Sequence, residues 1–222
     1  IDDNSYIAAS SIKNDADDAC NKLELAYFND NGVKFITELP LTPQSGFCVS
    51  SFKIDIFIDH NGDPIISFSN KANKIYVNRC FIGYDSFSIE QKKNSYNHDI
   101  TYEPTIIGKN RYISCVEMKV KESLYPQNDD YYVYCQFVYN VNEFGCGEYI
   151  MVLDYNLRPK LSENKYLAEG AHCSFDKLLK LNEQYMIATY LNKTTMQYSL
   201  LKTKEYSDFY DRIENEKSIE KS

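Results

Sequence analysis

Between Lys53 and Phe87 the chain alternates apolar and polar residues in three short runs, Ile54–Ile58, Pro64–Phe68 and Lys74–Ile82. This rhythm restricts the fold more than any other feature of the sequence. A period of two sends successive side chains to opposite faces of a strand. The runs are separated by His60-Asn61-Gly62-Asp63 and Asn70-Lys71-Ala72-Asn73. Asn and Gly tolerate the positive φ that a tight hairpin turn needs. The stretch therefore predicts a small antiparallel meander.

The plan recurs along the chain. Strands are predicted over residues 4–10, Asn21–Phe28, Val33–Leu39, Ile100–Ile107, Arg111–Val120, Tyr131–Tyr139, Gly147–Tyr155, Phe175–Leu181, Gln184–Tyr190 and Thr195–Leu201. Four of these stretches follow a turn and run from a ring through apolar to small residues: Tyr6–Ser10, Pro64–Phe68, Tyr112–Cys115 and Tyr185–Thr189. A repeat of roughly 50 residues carrying about four short strands is the mark of a propeller blade, whose two faces are covered by its neighbours. The expected fold is all-β and β-propeller-like, with about four antiparallel blades over 1–46, 47–97, 98–170 and 171–202. Four blades are few for a ring, and Ile1 stands where an initiating Met is absent, so the chain is expected to be a trimmed part of a larger propeller or to close with strands of a partner. One or two β-sandwiches of about 110 residues each are the alternative. Residues 203–222 are densely charged and are expected to form a solvated helix or a frayed tail.

Composition narrows the function. Of 222 residues 43% are hydrophobic and 25% charged, as in a globular chain; twenty Tyr, twelve Phe and no Trp favour strands. A net charge of −8 disfavours binding to phosphate backbones, so no nucleic acid partner is expected. No apolar run approaches the roughly 20 residues of a transmembrane helix.

Seven cysteines point to a disulfide framework in a secreted or cell-surface protein. None forms Cys-x-x-Cys, so no zinc site, and no other metal or cofactor, is expected. Cys115 and Cys135 fall on two strands expected to be hairpin partners and are the first candidate pair. Cys20–Cys48 and Cys146–Cys173 are the next, which leaves Cys80 unpaired. Asn192-Lys193-Thr194 is an N-glycosylation sequon at a predicted turn, with Asn192 the candidate acceptor.

Phe28-Asn29-Asp30-Asn31-Gly32-Val33-Lys34-Phe35 resembles the Asp-box of sialidase-like propellers, Ser/Thr-x-Asp-x-Gly-x-Thr-Trp. Asp30 and Gly32 match, Phe35 takes the place of the aromatic, and Phe28 and Lys34 depart from the pattern. The resemblance implies a structural role: Asp30 caps the turn, Gly32 supplies positive φ and Phe35 packs beneath. Gly83-Tyr84-Asp85-Ser86-Phe87 is a candidate second, worn copy. With its cysteines the chain also resembles the cysteine-rich protective antigens of malaria parasites, secreted six-bladed propellers that act as scaffolds in erythrocyte invasion.

Catalysis is harder to find. Sialidases hold a substrate carboxylate with three arginines; here Arg79, Arg111, Arg158 and Arg212 are the whole supply, and none sits in the family's Arg-Ile-Pro setting. No catalytic residue is therefore assigned. Asp55, Asp59, Glu103 and Asp154 are the carboxylates available to a glycosidase of another type. Asp59–Asp63 is read as a hairpin turn, since Pro64 stands where a calcium loop needs Gly. Tyr131, Tyr132 and Tyr134 beside Asp129 and Asp130 form a candidate protein interface. The expected function is a non-enzymatic secreted binding protein, a scaffold or adhesin with protein partners, or with a glycan as the second class of partner. The alternatives are a sialidase-like glycoside hydrolase and a tandem β-sandwich surface antigen.

Overall fold

The computed structural model describes residues 5–13, 21–38, 49–70, 75–82, 87–89, 101–102, 113–121, 124–142, 145–158, 165–170, 173–192, 195–203, 210–212 and 217–219. Within them the chain is all-β, with a single 3-10 turn at Asn128–Asp130. Two compact units divide it, residues 1–104 and 105–222.

The first unit holds β1 (Tyr6–Lys13), β2 (Asn21–Asn29), β3 (Gly32–Glu38), β4 (Val49–Ile58), β5 (Pro64–Asn70), β6 (Ile75–Ile82), β7 (Phe87–Ile89) and β8 (Thr101–Tyr102). These are two meanders, β1–β3 and β4–β7 with β8, every pairing antiparallel, joined by the one pair Asn21↔Val49. Alternation decides what each strand buries. Ile7, Ala9, Leu25, Tyr27 and Phe35 point inward and pack with Ile54, Ile56, Ile66, Cys80 and Ile82. Tyr6, Ala8, Ser10, Val33 and Ile36 face the solvent.

The second unit holds β9 (Ile113–Lys119), β10 (Tyr131–Asn142), β11 (Gly145–Leu153) and β12 (Lys165–Gly170) as one sheet, in chain order. β13 (Cys173–Lys180), β14 (Tyr185–Asn192), β15 (Thr195–Thr203), β16 (Tyr210–Arg212) and β17 (Lys217–Ile219) form another, with β16 and β17 both paired to β15. The charged end, expected as a helix or frayed tail, thus supplies two short strands. Val116, Met118, Tyr134, Ile150 and Val152 of the first sheet meet Leu178, Met186, Ala188 and Leu201 of the second in one cluster. The opposite face of the first sheet is buried too, through Ile113, Cys115, Val133, Cys135, Phe137, Met151 and Leu153. A two-layer sandwich leaves the outer face of each sheet to water. Burial of both faces is the blade arrangement, and the fold is propeller-like: successive antiparallel meanders, each from neighbouring strands.

The four similar stretches do not occupy equivalent places. β5 and β14 are second in their sheets, flanked on both sides, whereas β9 and β1 lie at sheet edges. Nor do they share burial: Ile65 and Ile66 of β5 and Ile113 and Cys115 of β9 are buried, whereas in β1 Ile7 and Ala9 are half-buried and Tyr6, Ala8 and Ser10 are exposed.

Three turns share one template, with Asp or Asn first, Asn third and positive φ fourth. At 59–63, Asp59 Oδ1 accepts from the N–H groups of Asn61 and Asp63, both at 2.9 Å, and Gly62 has φ 86°. At 154–158, Asp154 Oδ1 accepts from Arg158 N at 2.9 Å, and Leu157 takes the positive φ at 60°. At 29–33, Asn29 Oδ1 accepts from Asn31 N at 3.0 Å, and Gly32 has φ 101°. The side chain of Leu157 is buried. Burying it offsets the cost of left-handed backbone, about 1–2 kcal/mol for a residue with a Cβ.

Candidate functional site

One end of the second unit gathers two connections. The loop from β9 to β10 is pinned at its base: Val120 N donates to Asp130 O at 2.8 Å, and Asp130 N to Gln127 O at 2.9 Å. The Asp130 carboxylate is buried and accepts from Gln127 N at 2.8 Å, while Gln127 Nε2 reaches Tyr125 O at 3.3 Å. The turn from β13 to β14 is closed by Asn182 Oδ1, which accepts from Gln184 N and Tyr185 N at 2.9 and 3.0 Å. The two connections are joined through the backbone, Lys119 N donating to Glu183 O at 3.0 Å. Thr203 Oγ1 donates to Lys119 O at 3.0 Å and ties β15 to the same point.

On this fixed base Leu124 and Tyr125 stand 95% and 80% exposed, with Pro126 next in sequence, and Leu181 is 53% exposed on the adjoining turn. A leucine normally leaves water on folding. Here two large side chains next to each other in sequence remain in water instead. Tyr131 and Tyr132 lie half-buried at the start of β10. Burial, and then the negative charges of Glu183, Glu117 and Asp130, raise the Tyr131 phenol above its ordinary value of 10.0. Basic side chains share this end: Lys180 pairs with Glu183 at 3.0 Å, and Lys202 lies over the Tyr185 ring.

Tyr134 requires correction as an interface candidate. It is fully buried in the cluster between the two sheets of this unit, because both faces of β10 are interior. Leu124 and Tyr125 were not legible as contacts. Their only signal is two large apolar side chains beside Pro126 in a connection.

The other predicted site residues fall elsewhere. At the supposed Asp-box the side chain that closes the turn is that of Asn29, and Asp30 is exposed at the tip. The turn joins the second and third strands of its meander. Gly32 has the positive φ, and Phe35 stacks on Tyr27 with ring centroids 5.3 Å apart. Cys115 and Cys135 are disulfide-bonded; they are register partners on β9 and β10 with Cα atoms 4.1 Å apart, the close spacing of a non-hydrogen-bonded antiparallel pair. Cys80 is a buried free thiol, pushed up to about 12 by burial and then by the charge of Asp63. Cys20 and Cys48 lie outside the described residues, next in sequence to the paired Asn21 and Val49. Cys146 and Cys173 are described as backbone only: Cys146 pairs with Gly170, and Cys173 with Asn192. Asn192 ends β14 opposite Thr195, and Lys193 and Thr194 lie outside the described residues.

Of the carboxylates weighed for glycosidase chemistry, Asp59 and Asp154 close turns. Asp59 is also buried against Arg79, whose Nε donates to Asp59 Oδ2 at 2.9 Å. Asp55 is half-buried on β4, and Glu103, like Arg111 and the segment 83–86, lies outside the described residues. Among the described residues no group of three His, Cys, Asp or Glu could hold a metal ion, and no helix is long and apolar enough to cross a membrane.

No protein-family model matches the chain, and no curated protein is similar to it in sequence. Among solved structures the chain is similar to a fungal lectin, the six-bladed, fucose-recognising β-propeller of Aleuria aurantia. The identity is 11% and the TM-score 0.39, over 97% of this chain and 65% of the lectin. A point mutant of the same lectin in complex with alpha-methyl-L-fucoside gives 11%, 0.39, 97% and 64%. The chain thus spans less than two thirds of the length of these lectins.

Proposed function

We propose that the chain is a non-enzymatic binding protein, a scaffold or adhesin, that acts through protein contacts made by the Leu124-Tyr125 tip. What supports this reading is the pairing of near-complete exposure with a rigid base. Aromatic and aliphatic anchors contribute most when little conformational entropy is lost on docking, and a loop pinned through Asp130, Gln127 and Val120 has little left to lose. The half-buried Tyr131 and Tyr132 and the exposed Leu181 would form the surround that excludes water. The carboxylates near Tyr131 favour a partner with basic residues around its apolar pocket. The Cys115–Cys135 disulfide supports an oxidising, extracellular location. The resemblance to sialidase-like propellers and malaria-parasite antigens would place such contacts at a cell surface during host-cell entry.

Chemical cross-linking of the native chain to intact cells, followed by mass spectrometry, tests the reading. A partner captured by the natural chain and lost with Leu124→Ser/Tyr125→Ser, at unchanged circular dichroism and Tm, supports it. Turnover of a fluorogenic glycoside panel, or glycan-array binding indifferent to the double substitution, overturns it.

A further inference from the structure

Lys119 is the last residue of β9 and the register partner of Tyr131 on β10. Both of its main-chain groups are met by the second sheet of the unit. Its N–H donates to Glu183 O at 3.0 Å, and its C=O accepts from Thr203 Oγ1 at 3.0 Å. The first of these partners is backbone and any residue would supply it. The second is a side chain, and only a hydroxyl of the right reach supplies it. Thr203 is itself fixed: it is 7% exposed, and its N–H donates to Gln184 O at 2.9 Å. Val120 N, the next group along the chain, donates to Asp130 O at 2.8 Å. Three successive groups are therefore held where β9 becomes the loop that carries Leu124 and Tyr125.

Taking that tip as the contact site, a reading on which this step rests, we infer that Thr203 is its positioning residue. The hydroxyl holds the Lys119 carbonyl and so sets the direction in which the loop leaves β9. A strand position asks only for the β-branched shape of threonine, which valine has as well. The hydroxyl adds the bond to Lys119. Without it a carbonyl at a half-buried residue has to turn toward water, and the Lys119 peptide turns with it. The far leg of the loop stays fixed through Asp130, so the tip is then held at one end only. Ordering it on docking costs affinity, although no contact residue has changed.

Thr203→Val removes the hydroxyl and keeps the shape; Thr203→Ser keeps the hydroxyl. Both are compared with the natural whole chain. Amide hydrogen exchange at Lys119 and Val120 should quicken by about tenfold in Thr203→Val, stay unchanged along β11, and return to the natural rate in Thr203→Ser. The concentration of chain that gives half-maximal cross-linking to intact cells should rise about tenfold with Thr203→Val and recover with Thr203→Ser. Unaltered exchange at Lys119 and Val120 overturns the inference. Faster exchange throughout residues 105–222, or an equal loss with Thr203→Ser, assigns Thr203 to general stability and overturns it too. Capture lost with Leu124→Ser/Tyr125→Ser but unchanged with Thr203→Val overturns the positioning role and leaves the tip as the contact site. Capture indifferent to the double substitution overturns the tip reading itself, and the role of Thr203 in binding falls with it.

Discussion

The two units follow one strand plan and are stabilised differently. In the 105–222 unit the β9–β12 sheet is buried on both faces, and nine buried side chains form the cluster it shares with β13–β15. In the 1–104 unit β1–β3 buries one face and leaves the other to water; the buried members of its cluster are Leu25, Ile66 and Cys80. The ion pair of Asp59 and Arg79 adds to that smaller core. A repeated alternating pattern determines the strands and their turns. The number of neighbours a sheet acquires determines whether its polar phase stays polar, and that is a property of the assembly.

The largest expected effect falls on the less apolar unit. Arg79→Ala leaves a buried carboxylate without its ion partner and costs about 3–5 kcal/mol. Urea denaturation, with exchange rates resolved for each unit, should place that loss in residues 1–104. Arg79→Met combined with Asp59→Asn removes both charges and should recover most of it. A loss spread evenly over both units would break the comparison.

Met118→Ala in the doubly covered sheet should cost about 2–5 kcal/mol, while Ile36→Ala on the open face of β3 changes stability by under about 0.5 kcal/mol. Equal losses at the two positions would show that the outer face of β1–β3 is covered in solution. Replacing both Cys115 and Cys135 by Ala should cost about 2–4 kcal/mol, measured as a lower Tm of the 105–222 unit with the other unit unmoved.

The last test concerns Cys80. Its thiol has a folded value of about 12 against an ordinary 9.0. The unfolded chain therefore loses this proton first, and the contribution to stability is full below pH 9 and lost as pH rises from 9 to 12. At pH 8 a thiol reagent should leave Cys80 unmodified in the folded chain and label it in guanidinium. Rapid labelling of the folded chain would show that the first core opens readily.

Much of the fold was legible. Asn61-Gly62 between Ile54–Ile58 and Pro64–Phe68 marks its hairpin by local chemistry, and local chemistry is what a sequence displays. The Cys115–Cys135 bond was legible because hairpin partners face each other at fixed spacing. Tyr134 misled because alternation separates an inner from an outer face only when one of them is wet. β16 and β17 were hidden by charge, since the neighbouring β15 supplies the ladder that their own residues do not advertise. Leu157 in a left-handed turn carries one faint signal, Asp154 and Asn156 spaced as Asp59 and Asn61 are. The backbone bond of Lys119 to Glu183, which joins the β9–β10 connection to the β13–β14 turn, links distant parts of the chain, and no local pattern encodes it.

The chain-order pairing of strands has a consequence for how the protein is made. With the exception of Asn21↔Val49, the ladders of β1 through β6 and β9 through β15 join strands that follow one another in the chain, among the described residues. Loop closure is then cheap for each ladder, while the packing of one sheet on the next, as where Val116 and Tyr134 meet Met186 and Leu201, has to wait for distant residues. Each meander can form as it leaves the ribosome without waiting for a distant strand.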